Sequence, residues 1–183
     1  NRIRDKVYEM GIESGEELEV TNAKISPFNT NYISFLYKRL QRKGFLERDC
    51  QRMVNQDRNV FAACMVANNH ADALVTGLTR SFKSSFENIS LVIDPAKNKE
   101  ILTTSLLISK GRTVFIGDTS IHERPTGEQM AEIAIAISEK AKSIGHVPRV
   151  AFLSFSNFGN FDSLITHSLR DAVKILDKKN IDF

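Results

Sequence analysis

The spacing of apolar positions divides this chain into helices with one-sided faces and short, nearly continuous apolar runs. Tyr32, Ile33, Leu36, Tyr37 and Leu40 recur every three or four residues and predict a helix that Gly44 closes. Helices are also predicted over 47–55 and 58–68, the second opened by Asp57, whose carboxylate suits an N-cap. Residues 2–11 read as a helix end closed by Gly11, and 82–93 as a helix stopped by Pro95. The most regular helix opens at Thr126-Gly127-Glu128-Gln129, which has the form of a capping box. Met130, Ile133, Ala134, Ile137, Ala141 and Ile144 share one face of it, and Gly145 ends it. A last helix is predicted over 168–178.

Between these helices lie the strand candidates. Leu18 to Val20 is short. Ala71-Asp72-Ala73-Leu74-Val75-Thr76 ends at Gly77. Val150 to Phe155 is apolar throughout except Ser154, the mark of a strand buried on both faces. Residues 106–109 and 113–116, joined by Lys110-Gly111-Arg112, predict a hairpin. Helices and apolar runs alternate, so the expected class is α/β, with a mostly parallel sheet covered by helices and one antiparallel pair.

Composition narrows the function classes. The chain has 183 residues, 42% hydrophobic and 26% charged, with a formal net charge of +3. That suits a folded domain and excludes an intrinsically disordered one. The most apolar stretch, 60–79, is broken by Asn68, Asn69, His70 and Asp72, so no membrane span is expected. The charge is too mild to indicate nucleic acid as a partner. Lys38, Arg39, Arg42, Lys43 and Arg48 cluster, either as a solvated helix face or as an anion site. Cys50 and Cys64 cannot build a disulfide framework; as buried, reduced thiols they favour a cytoplasmic setting. The chain opens inside a helix and stops at Asn180-Ile181-Asp182-Phe183, which resembles a strand entry, so it is expected to be part of a larger protein.

Ligands of open α/β sheets sit beyond the carboxyl ends of strands. Three such ends here are small, polar and Gly-containing. They are Gly77-Leu78-Thr79-Arg80-Ser81, then Gly117-Asp118-Thr119-Ser120 with Arg124-Pro125-Thr126, then Ser156-Asn157-Phe158-Gly159-Asn160. Free helix N–H groups with Arg80 or Arg124 would suit a phosphate or a carboxylate; the alternative is that these are ordinary capping loops. Asp118 either orients a ligand, acts as a base, or caps a turn through Thr119 and Ser120. His70, His122, His146 and His167 show no metal-ligand spacing, and neither a Walker loop nor a dinucleotide fingerprint is present.

Five stretches, in order, carry a family resemblance. They are Ala71 to Gly77; Phe115-Ile116-Gly117-Asp118; Pro125-Thr126 with Glu132-Ile133-Ala134; Pro148 to Ser156; and Arg170-Asp171-Ala172-Val173. The chain resembles the phosphotransacetylase (phosphate acetyl/butyryltransferase) family. Arg52-Met53-Val54-Asn55, Arg58-Asn59-Val60-Phe61, Gly77-Leu78-Thr79-Arg80 and Ser154 to Gly159 are closest to the C-terminal phosphotransacetylase-like domain of bacterial NADP-dependent malic enzymes. The resemblance implies a three-layer α/β/α architecture within a two-lobed, isocitrate/isopropylmalate dehydrogenase-like fold, of which residues 1–183 would form a part.

It also implies a function. Transferases of the family move acetyl between coenzyme A and phosphate. Where they typically carry an Arg about ten residues beyond the Gly, this chain has Glu87. Where they usually read Ser-x-Ser-Thr-x-Gly-Ser, it reads Ser154-Phe155-Ser156-Asn157-Phe158-Gly159-Asn160. The family's catalytic Asp and its Ser-Arg pair would lie beyond Phe183. The resemblance therefore implies a non-catalytic regulatory domain that binds acetyl-CoA as effector, supports a homo-oligomer, and shares its chain with a malic-enzyme catalytic portion. NADP and a divalent metal would belong to that portion. The ligand residues implied are Thr79, Arg80, Ser81, Asp118, Arg124, Thr126, Ser154, Ser156, Asn157 and Gly159. The alternatives are an active phosphate acetyltransferase and a purely structural oligomerisation module.

Overall fold

A computed structural model describes residues 2–12, 18–97, 99–155, 163–179, 181 and 183. The chain forms two compact units, Asn1–Asp94 and Pro95–Phe183.

Unit 1 is helical: α1 (Arg2–Glu9), α2 (Asn29–Leu40) with a single 3-10 turn behind it (Gln41–Lys43), α3 (Glu47–Gln56), α4 (Arg58–Ala67) and α5 (Phe82–Ser90). The periodicity seen in the sequence is what buries it. Tyr32, Leu36 and Leu40 on α2 meet Cys50 and Val54 on α3, and Val60, Phe61, Ala63 and Cys64 on α4, with Val92 completing the cluster. Both cysteines are free and buried. Burial pushes the Cys64 thiol up to about 12. The end of α4 shows how local chemistry stops a helix. Asn69 adopts the left-handed conformation at φ 58, and His70 N donates to Met65 O at 2.8 Å. Asn here takes the place glycine usually fills in such a cap. The turn delivers the His70 ring to Phe28 at 4.5 Å and its Nδ1 to the Tyr32 hydroxyl at 2.6 Å. Of the basic cluster, Arg39 is taken up in a bidentate fork on Asp94, at 2.6 and 2.5 Å, while Lys38, Arg42, Lys43 and Arg48 are exposed.

Unit 2 is α/β: the hairpin β1 (Thr104–Ser109) and β2 (Arg112–Gly117), then α6 (Gly127–Ser143) and α7 (Leu164–Lys179). The strands pair antiparallel, with Thr104 opposite Gly117 and Ser109 opposite Arg112. The capping box at the start of α6 forms as predicted: Gln129 N donates to Thr126 Oγ1 at 3.2 Å, and Thr126 N to Gln129 Oε1 at 3.0 Å. Small residues let α6 and α7 approach, through Ala131 and Ala134 against Ala172 and Leu176. Gly127 is needed at that crossing, since a Cβ there would lie 2.9 Å from Ser168 O. α7 begins four residues earlier than the predicted 168, because Ser163 caps it reciprocally with Thr166.

The expected mostly parallel sheet is the main correction. Among the described residues the one sheet is the antiparallel hairpin, and no ladder forms at 18–20, 71–76 or 150–155. A strand needs a lateral partner for its N–H and C=O groups, and among the described residues none pairs with these segments. Side chains predicted to be buried are consequently open. Val75 is 96% exposed and Leu153 87%, although Leu74 packs against the unit 1 core. No described helix is long and apolar enough to cross a membrane.

Candidate functional site

The site is assembled around Asp57, between the end of α3 and the start of α4. As N-cap of α4, its Oδ1 accepts from Asn59 N at 2.9 Å and Val60 N at 3.2 Å. Its Oδ2 accepts from Asn88 Nδ2 on α5 at 2.9 Å and from the Arg80 guanidinium. One carboxylate thus caps a helix and holds the cation of the Gly77 loop. An N-cap alone is worth about 1 kcal/mol; the pairing with Arg80 adds direction more than energy, because Arg80 is partly exposed.

Beside it opens a cleft of about 690 Å³, lined by Arg58, Asn59 and Ala62 of α4 and by residues 74–80. Thr76 Oγ1 donates to Asn59 Oδ1 at 2.6 Å across the cleft wall. The loop beyond is tightly wound. Thr79 N donates to Gly77 O at 2.8 Å, which leaves Leu78 at φ 63, with its side chain fully exposed. Thr79 and Arg80, predicted from the sequence, do line this cleft. Ser81 instead caps α5, with its Oγ accepting from Ser84 N at 3.2 Å. Sequence reasoning took Arg58-Asn59 only as a mark of family branch. Their place in the cleft depends on Thr76, seventeen residues later, which no local pattern announces.

Unit 2 holds the other predicted residues. Asp118 follows β2, and its side chain is 2% exposed. Its Oδ1 accepts from Thr103 N at 3.0 Å, Thr103 Oγ1, Ser120 N at 3.2 Å and Ile121 N at 3.4 Å. Its Oδ2 accepts from His122 N at 3.0 Å and pairs with His122 Nδ1 at 2.5 Å. Burial would raise its pKa. The hydrogen bonds from Thr103, His122 and the backbone outweigh that and hold the carboxyl well below the ordinary carboxylate range. On the far side of the imidazole, Nε2 lies 3.8 Å from Glu100. Of the readings the sequence left open, the turn cap matches this geometry: Asp118 ties the 118–122 loop to the start of the hairpin, and its oxygens are fully engaged by the protein. Thr126 caps α6, while Arg124 and Ser154 are exposed. Ser156, Asn157 and Gly159 lie outside the described residues. Among the described residues no three His, Cys, Asp or Glu side chains group so as to hold a metal ion.

The comparisons with known proteins agree with one another. A model of the family described as "Phosphate acetyl/butaryl transferase" matches residues 1–183. An NADP-dependent malic enzyme of Rhizobium meliloti is 45% identical over 166 residues, which is 91% of this chain and 22% of that protein. A probable NADP-dependent malic enzyme of Rickettsia prowazekii is 46% identical over 165 residues, again 22% of its length. This chain therefore spans about a fifth of those relatives. A phosphate acetyltransferase of Nitratidesulfovibrio vulgaris is 25% identical over 180 residues, 25% of its length. Among solved structures, a phosphotransacetylase from Streptococcus pyogenes superposes with a TM-score of 0.77 at 23% identity. It covers 97% of this chain and 54% of that one, a likeness of fold.

Proposed function

Since this chain belongs to the phosphate acetyl/butyryl transferase family, we propose that it is an acyl-CoA-binding regulatory domain of an NADP-dependent malic enzyme and not itself a transferase. The observation that carries the reading is the unit 1 cleft, where Asp57 holds Arg80 beside Thr79 at the mouth of a ligand-sized space. Identity of 28–46% to NADP-dependent malic enzymes, against 24–25% to phosphate acetyltransferases, supports the choice of parent. In this reading Thr79 and Arg80 contact the anionic part of acetyl-CoA. Ser81, Arg124, Thr126, Ser154, Ser156, Asn157 and Gly159 are proposed as ligand residues on the resemblance alone, and Asp118 positions its own loop. Acetyl-CoA binds one assembly state of a homo-oligomer better than another, and that difference in affinity shifts malate oxidation. NADP and the divalent metal act in the malic-enzyme portion. The open apolar runs at 71–76 and 150–155 each pair as a strand with a segment from elsewhere in such a parent.

The test is the rate of NADP-dependent malate oxidation by the parent, with and without saturating acetyl-CoA, in wild type and Arg80→Ala. A ligand-dependent change that Arg80→Ala abolishes is expected. An unchanged rate refutes the regulatory role. The similarity to the phosphate acetyltransferase of Nitratidesulfovibrio vulgaris over 98% of this chain favours a second reading, an active transferase. Phosphate-dependent release of free coenzyme A from acetyl-CoA would establish it.

A further inference from the structure

Strand β1 presents an unprotected sheet edge. It has β2 on one side and, among the described residues, no strand on the other. β2 is screened by its own chain: it shares a cleft with residues 146–152, and the His146 ring lies against Phe115 at 5.8 Å. An edge with free N–H and C=O groups is a template for pairing with another chain, and proteins that avoid such pairing place charges, proline or a bulge there. β1 carries none of these. Thr104–Ser109 reads Thr-Ser-Leu-Leu-Ile-Ser, and its residues pair with β2 in unbroken register from Thr104 to Ser109. Its apolar side chains stay open: Leu107 is 52% exposed and Ile108 73%.

The order of side chains along β1 suits a second copy of itself. In an antiparallel pair of β1 strands with a twofold axis at Leu107, Ser105 faces Ser109 of the second copy. Leu106 then faces Ile108, and Leu107 faces its own counterpart. Apolar residues meet apolar residues and serine meets serine. An axis at Leu106 would set Ser105 against Leu107, and an axis at Ile108 would set Leu106 against Lys110. The charges fit the same register. No charged residue lies within β1, and Lys110 falls opposite Thr104 of the second copy. At about 3.3 Å per residue the two Lys110 side chains stand roughly 20 Å apart, so like charges do not confront one another.

We infer that β1 is the contact between two copies of this chain, joined edge to edge into a four-stranded antiparallel sheet with β2 at each outer side. The inference rests on the homo-oligomer of the proposed function and gives it a surface, a symmetry and a register; it needs no bound acyl-CoA. A single edge buries less than the roughly 800 Å² per partner of a standard interface. The pairing is therefore reversible and depends on concentration.

Sedimentation velocity of the purified protein over a concentration series tests it, together with cross-linking. Wild type is expected to pass from monomer to dimer as concentration rises. Leu107→Lys is expected to weaken the dimer tenfold or more, because like charges directly opposite one another destabilise a strand pair. The position is half exposed, so the thermal midpoint of that variant at low concentration should match wild type. Under a mild oxidant Leu107→Cys is expected to form a covalent dimer, since opposite Cβ atoms lie about 4.5–5.5 Å apart, close to the reach of a disulfide. Val114→Cys, opposite Leu107 within the hairpin, is not: three strand spacings, about 14 Å, would separate its two thiols. Cys50 and Cys64 are buried and stay out of the reaction. A monomer at every concentration overturns the inference and the homo-oligomer with it. A dimer that Leu107→Lys leaves intact, or a Leu107→Cys variant that cross-links no faster than Val114→Cys, overturns the β1 contact alone and assigns the oligomer to another surface.

Discussion

Replacing Asp118 by Asn keeps the shape of the side chain and removes its charge. In the wild type the carboxylate receives six hydrogen bonds, four on Oδ1 and two on Oδ2. The amide keeps one acceptor oxygen. If that oxygen stays toward Thr103, the new NH2 group confronts the His122 N–H, donor against donor, while the neutral imidazole can shift its tautomer so that Nδ1 accepts from the amide. One hydrogen bond to a charged group is lost, worth roughly 1.5–3 kcal/mol, and the remaining ones lose their charged acceptor, giving a destabilisation of about 3 kcal/mol. Turning the amide over is worse, since four donors would then lose the oxygen. For a chain of this size that is a fall in Tm of roughly 10 °C, measurable by calorimetry at pH 7. The pH dependence has a definite sign. A carboxyl held below its usual range contributes stability that is complete above the unfolded value, near 4. That contribution drains away as the pH falls toward the folded pKa. Wild type should therefore lose stability more steeply than Asp118→Asn between about pH 5 and pH 2. A loss under about 1 kcal/mol at pH 7, or parallel acid profiles, would show that water replaces these bonds and that Asp118 does not hold its loop.

Other consequences can be checked on purified protein. Leu78→Gly should raise stability by about 1 kcal/mol in urea unfolding, because glycine adopts positive φ freely and no buried surface is lost. Cys64, fully buried with its thiol pushed up to about 12, should resist alkylation at pH 8 and react only once the chain is unfolded; rapid labelling of the native protein would contradict its burial.

What could be read from the sequence followed the range of the interactions involved. α2, α3, α4 and α6 are set by apolar spacing and by caps within a few residues, and Asp57, Thr126 and Gly145 appear at the predicted ends. The hairpin was visible because its partners adjoin. The runs at 71–76 and 150–155 show the limit. Apolar composition marks a segment able to join a sheet, but pairing depends on partners that local sequence does not name. The sites divide in the same way. Thr79 and Arg80 stand out by position after an apolar run, and both line the unit 1 cleft. Asn59 does not, because only the folded chain brings it against Thr76. Asp118 was flagged for its place after β2, while its engagement by Thr103 emerges only when the two ends of the hairpin meet.

Asp57 also makes the cleft observable from a distance. The carboxylate that fastens Arg80 is the one that protects the amide protons of Asn59 and Val60. Anything that draws Arg80 toward an anion changes how firmly Asp57 holds that first turn. By reciprocity, whatever frays the turn changes how readily Arg80 is released. The hydrogen-exchange rates of these two amides would therefore register an anion bound by Arg80, readable by NMR without labelling the anion or assaying turnover.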